Sequence, residues 1–110
     1  MAYDEVLAGR VARVLGERPE LTRRRIFGGL AFLLRGNMAL VVRGKGGLMV
    51  RVDPDEHDDL LAEPGTETMI MRGRPMRGWL VVDPAACADD AALAAWVGRG
   101  LTYAQTLPAK

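Results

Sequence analysis

The chain contains no serine, a single cysteine, a single histidine and only two lysines. Without serine, a Ser-His-Asp triad is excluded. With Cys87 alone, no intrachain disulfide can form, and nothing argues for an oxidising compartment. Long apolar runs are also missing. The longest, Ile26 to Leu34, is interrupted by two glycines and falls far short of the ~20 residues that a membrane helix needs. The start, Met1-Ala2-Tyr3-Asp4-Glu5, is acidic and shows no basic segment followed by an apolar stretch, so no secretory leader is expected. A cytoplasmic protein without membrane contact is the simplest expectation. Charge of one sign is lacking too: the formal net charge is +1, which argues against a protein built mainly to coat a polyanion.

What is present reads as one domain over residues 1–110, long enough to bury about two-thirds of its unfolded surface. Tyr3, Leu7, Val11, Val14 and Leu15 fall on one helical face, opposite Asp4, Glu5, Arg10 and Arg13. Gly16 and Arg18-Pro19 end that helix. Three apolar runs follow: Arg25 to Leu34, Met38 to Arg43, and Leu48 to Val52. Gly36-Asn37 and Gly44-Lys45-Gly46-Gly47 separate them, and such connectors supply the positive φ angles of hairpins. A three-stranded meander is therefore expected. With Gly36-Asn37 as the first loop, Leu33 pairs with Leu40, and a four-residue second loop pairs Val41 with Val50. One face then carries Leu30, Phe32, Leu34, Ala39, Val41, Leu48, Val50 and Val52; the other carries Phe27, Ala31, Leu33, Met38, Leu40, Val42 and Met49. Both faces are apolar, whereas a sheet with one wet face alternates. Helices or a second subunit should cover the second face.

Asp53-Pro54-Asp55-Glu56 has the residues of a helix start, with Asp53 as cap and Pro54 at the first position. Leu60 and Leu61 anchor that short helix, and Glu63-Pro64-Gly65 ends it. Thr66 to Met71 and Trp79 to Val82 read as two further strands, joined through Gly73-Arg74-Pro75. Asp89 or Asp90 caps a last helix with a stripe of Leu93, Trp96, Val97, Leu101 and Ala104. Gly98 and Gly100 weaken that helix by roughly 1 kcal/mol each against Ala. The predicted fold is α+β, in two layers, with the order α-β-β-β-α-β-β-α and a mainly antiparallel five-stranded sheet.

Chemistry-bearing clusters are scarce. His57 sits among Glu56, Asp58 and Asp59; a general base or metal ligand is one reading, and a solvated residue on an acidic helix face is the simpler one. Those acids lack the ligand spacing and central glycine of a calcium loop. Cys87, in Pro84-Ala85-Ala86-Cys87-Ala88, lies just before a helix, where a thiol can be activated, but a small filler is the plainer role. Gly28-Gly29 is followed by no Lys-Ser/Thr and fits no G-x-G-x-x-G frame, so a bulge or close backbone approach is expected there. No catalytic residue, cofactor or metal is expected, and an enzyme is not. Arg23, Arg24 and Arg25 enter the first strand while Arg72, Arg74 and Arg77 surround the last hairpin. If those strand ends meet, they form a basic edge suited to weak, salt-sensitive phosphate contacts.

Five segments together resemble the N-terminal domain of the TfoX/Sxy family of bacterial competence regulators. They are Ile26-Phe27-Gly28-Gly29-Leu30-Ala31-Phe32, Gly36-Asn37-Met38, Gly47-Leu48-Met49-Val50-Arg51-Val52, Gly73-Arg74-Pro75-Met76-Arg77-Gly78-Trp79, and Trp96-Val97 with Leu101. The resemblance implies a two-layer fold of the secretion-chaperone-like type, in the element order already read. It implies no catalytic residues. Full-length regulators of the family carry a second, helical domain, whereas this sequence stops at Lys110, so a stand-alone domain is expected. The function expected is a regulatory or protein-interaction module linked to transcription or competence. A homodimer would pair through Phe27, Leu33, Met38, Leu40 and Met49, alongside a regulatory protein partner. Two alternatives stand beside it: a nucleic-acid-binding accessory using the arginine edge, and a small-ligand binder or enzyme with a site near Cys87 or His57.

Overall fold

The computed structural model describes residues 3–26 and 28–110. Helix α1, Glu5–Leu15, opens on Asp4, whose carboxylate accepts the N–H groups of Val6 and Leu7 at 2.9 and 3.1 Å. Four strands follow: β1, Leu21–Ile26; β2, Gly29–Leu34; β3, Asn37–Val42; and β4, Leu48–Arg51. A 3-10 turn at Pro54–Glu56 leads into the short α2, His57–Leu61, and a second 3-10 turn, Pro84–Cys87, precedes the last helix. Then come β5, Thr66–Met71; β6, Arg74–Val82; and α3, Asp90–Gln105. All strand pairings are antiparallel, in the order β1-β2-β3-β4-β6-β5. No helix among the described residues is long and apolar enough to cross a membrane.

The sheet has six strands rather than the five expected, because the segment entering the first apolar run is a strand of its own. Ile26 pairs with Gly29, and Gly28 just before it has φ +75°, the left-handed region that glycine enters without steric cost. The glycine pair is thus a hairpin turn plus a close approach, not a bulge within one strand. A Cβ on Gly29 would lie 2.5 Å from the Val42 carbonyl oxygen.

Register also departs from expectation, and the reason is local. The β2–β3 turn is Arg35-Gly36, so Leu34 pairs with Asn37 and Leu33 with Met38; past a bulge, Phe32 pairs with Leu40. Ala39 is the extra residue, and a bulge of this kind re-aims every side chain beyond it. Leu40 and Val42 consequently point into the main core while Val41 turns to the opposite face. In the second hairpin Val41 pairs with Met49 and Leu40 with Val50, one position away from the expected match.

All three helices pack on one side. Leu7, Val11 and Leu15 of α1 join Leu93, Trp96, Val97, Leu101 and Ala104 of α3 over Phe32, Leu40, Leu48, Val50, Leu80 and Val82, with Leu60 and Leu61 of α2 at the margin. The stripe read for α3 is the one buried. In α1, Ala8 is buried and Val14 is 41% exposed. Gly100 is where α3 meets the sheet: a Cβ there would stand 2.6 Å from the Ala39 carbonyl oxygen. The glycine that weakens the isolated helix therefore permits its closest packing.

Candidate functional site: the open face of the sheet

Opposed residues in an antiparallel ladder share a face, so the side of the sheet without helices can be assembled from the pairings. Its floor is Ala31, Leu33 and Val41, with Ile26, Met38 and Met49 packed around them. On the other half, β5 alternates Thr66 and Thr68 toward the helices with Met69 and Met71 toward the open side. Trp79, Val81 and, beyond a break in register, Met76 complete it from β6. The face is concave. Ile26, at the end of β1, and Met69 and Met71, on the strand at the far edge of the sheet order, line the same recess.

Two adjoining hollows occupy this concavity. The larger, about 350 Å³, is bounded by Ile26, Gly29, Val41, Met49, Met69 and Met71, with Arg43, Lys45 and Arg72 among its lining residues. The smaller, about 150 Å³, continues over Met38, Met76 and Trp79. Five of the six methionines in the chain lie here; the sixth is Met1. An unbranched thioether fills irregular space and readjusts, a property of adaptable binding surfaces.

The residues expected on a dimer face are thus divided. Leu33, Met38 and Met49 stand on the open face. Leu40 does not: it is fully buried under the helices, re-aimed by the bulge at Ala39. Phe27 lies outside the described residues. Sequence reasoning missed Met69, Met71, Met76 and Trp79 for this surface, although the alternation Thr66-Glu67-Thr68-Met69-Ile70-Met71 carries the signal once the inward threonines are known.

The six arginines do not form one strip. Arg23 and Arg25 face the helix side of β1, where the Arg23 guanidinium lies 5.4 Å from the centre of the Phe32 ring. Arg24 faces the open side, opposite Ala31. Arg77 turns toward α2 and pairs with Asp58 at 3.3 Å. Arg74 pairs with Met71 across the β5–β6 turn, and Arg72 sits in that turn beside the larger hollow.

His57 is not solvated. It is 2% exposed; its Nδ1 accepts the Gly78 backbone N–H at 2.8 Å, and its Nε2 lies 2.9 Å from the Thr68 hydroxyl. The Gly78 donor fixes the tautomer: Nδ1 carries the lone pair, so Nε2 carries the proton and donates to Thr68. The ring ties α2 to the point where β5 and β6 lose register. With both nitrogens engaged it is a structural pillar, and its acidic neighbours in sequence gave no hint of this. Among the described residues no three His, Cys, Asp or Glu side chains are grouped as a metal site.

Cys87 is buried at 1% exposure, with its thiol directed at the carbonyls of Asp83 and Pro84 at 3.5 and 3.6 Å. Burial pushes its pKa up; the Arg10 charge opposes this and the Asp83 charge adds to it. A thiol held protonated is a poor nucleophile, which matches the filler role.

A family model described as the TfoX N-terminal domain matches residues 13–104. No curated protein and no solved structure matches the chain.

Proposed function

The chain belongs to the TfoX N-terminal domain family, and from that premise we propose that it is a cytoplasmic, non-catalytic regulatory module. In this reading it acts in transcription or competence-type control by binding protein, first of all a second copy of itself. One observation carries the proposal. The sheet has one face sealed by three helices and one apolar face without any, on which Leu33, Met38, Met49, Met76 and Trp79 lie together. Contiguous apolar surface of this kind marks interaction sites, and a two-fold axis would cover it with the same patch from a second subunit. Any nucleic-acid contact in this reading is weak and salt-sensitive, because Arg23, Arg25 and Arg77 are directed away from Arg24 and Arg72.

Light scattering at micromolar concentration tests the assembly. The expected mass is twice the 12.0 kDa of the chain. Met38→Glu, on the half-buried open face, is expected to return it to a monomer with its thermal transition retained. A wild-type monomer at 100 micromolar overturns the dimer, and a dimer indifferent to Met38→Glu moves it to another surface.

A further inference from the structure

We propose that the larger hollow of the open face is a binding site for a small amphipathic anion, a single apolar chain ending in a carboxylate. This goes beyond the regulatory reading and does not rest on it; Met49, Met76 and Trp79 belong to both surfaces, so a ligand in the hollow and a second subunit compete for them. The hollow, about 350 Å³, is at the lower end of the range for small-molecule sites. Its floor is Val41, Met49, Met69 and Met71, and it runs on into the second apolar recess under Met76 and Trp79. An apolar chain has somewhere to continue. Every charged residue that lines the hollow is a cation: Arg43 and Lys45 from the β3–β4 connection, and Arg72 from the β5–β6 turn. None of these belongs to the ion pairs found among the described residues, which are Arg10–Asp90, Arg77–Asp58 and Arg99–Glu63. An apolar floor under a rim whose charged members are all cations selects a ligand of the opposite charge with an apolar body.

Backbone conformation singles out Arg72. It occupies the left-handed region, with φ +54°, in a two-residue turn completed by Gly73 at φ +77°. That position favours Asn, Asp or Gly, and a long side chain is strained there. The one other non-glycine residue in this region among those described is Arg35, φ +51°. Its guanidinium explains its presence, since it donates to the carbonyls of Gln105 and Leu107 at 2.9 and 3.4 Å and holds the carboxyl-terminal tail. Arg72 makes no such bond to its own chain among the described residues. A strained residue kept without an internal partner points to an external one, and Arg72 lines the hollow.

The test uses decanoate as the probe, with decan-1-ol and decyltrimethylammonium as neutral and cationic counterparts, followed by calorimetry and by methionine-methyl NMR. Decanoate is expected to bind at least tenfold more tightly than either counterpart and to shift the methyl signals of Met49, Met69 and Met71. Arg72→Asn should weaken decanoate binding about tenfold while the melting temperature holds or rises, because the substitution also relieves the turn. Arg43→Gln should weaken it similarly. Equal affinity for all three probes, no decanoate binding below 1 millimolar, or shifts confined to other methyls would overturn the site. So would Met49, Met69 and Met71 signals that respond to dilution and not to decanoate, which would give the hollow to a second copy of the chain. The dimer is read separately, by mass, in Met38→Glu.

Discussion

Phe32, Leu40, Leu48, Val50, Leu80 and Val82 on the helix-covered face are all fully buried, and the cluster they belong to contains no methionine. Across the same sheet, Met38, Met49, Met69, Met71 and Met76 are all half-buried and share their surface with Trp79 and a rim of cations. Both sides are apolar, but they are built of different materials. Aliphatic side chains with few rotamers give a core one arrangement at high density. Thioethers with three rotatable bonds give a surface that can repack around what it meets. One face is built to hold the fold together and the other to accommodate.

Truncation should separate them most sharply. Leu40→Ala is expected to cost about 3–5 kcal/mol in urea unfolding, since its cavity would be enclosed by helix and sheet. Met49→Ala, opening onto a hollow that already exists, should cost about 1 kcal/mol or less. Similar losses at the two positions would mean that the open face is as much a core as the other.

The next effect concerns the joint between the faces. His57→Ala would leave the Gly78 N–H and the Thr68 hydroxyl without their partner, and a buried polar group left unsatisfied costs about 1–3 kcal/mol. A loss of about 2–3 kcal/mol is expected, together with altered methyl signals from Met69 and Met76, which meet across the irregular stretch that His57 holds. A loss below 0.5 kcal/mol would show that the register break stands without the histidine.

These contrasts mark what the sequence could and could not disclose. The element order, β1 excepted, was legible because caps and periodicity are local: Asp53 and Asp89 cap the turns their sequence neighbours suggest, and α3 buries the stripe its spacing implies. The two-layer fold follows from that order. Face assignment was not legible, because a period of two is inverted by one inserted residue, and Ala39 carries no chemical mark of being that residue. The same slip placed Leu40 among surface candidates. His57 was misread for a related reason: its partners, Thr68 and Gly78, are brought to it by β5 and β6 and not by its acidic neighbours. The cationic rim of the hollow was hidden because Arg43, Lys45 and Arg72 come from two loops that only the curl of the sheet brings together.

A smaller effect distinguishes two glycines on the helix that seals the covered face. Gly98 has nothing within 4 Å of where a Cβ would be, whereas at Gly100 that Cβ would meet the Ala39 carbonyl oxygen at 2.6 Å. Gly98→Ala is expected to stabilise the protein by up to about 1 kcal/mol through helix propensity alone. Gly100→Ala should destabilise it by about 1–3 kcal/mol by prising α3 from β3. Stabilisation by both substitutions would mean that the covered face is less tightly closed than its contacts indicate.

The smallest expected effect is a pH dependence, and it too belongs to the covered face. Cys87 is part of that core, and burial raises its thiol pKa in the folded state. In the unfolded chain the thiol titrates near pH 8.5. Below that pH it is protonated in both states, so its contribution to stability is fully present. Above it, the unfolded chain releases a proton that the folded protein retains; the unfolded state then binds fewer protons, and stability falls as pH rises toward the folded pKa. Urea midpoints of the wild type and Cys87→Ala should therefore run parallel from pH 6 to 8. From about pH 8.5 upward the wild type should decline more steeply, with the excess slope lost in the variant. Parallel curves up to pH 10 would show that the thiol ionises as easily in the core as in the unfolded chain, and that the covered face admits water beside Asp83.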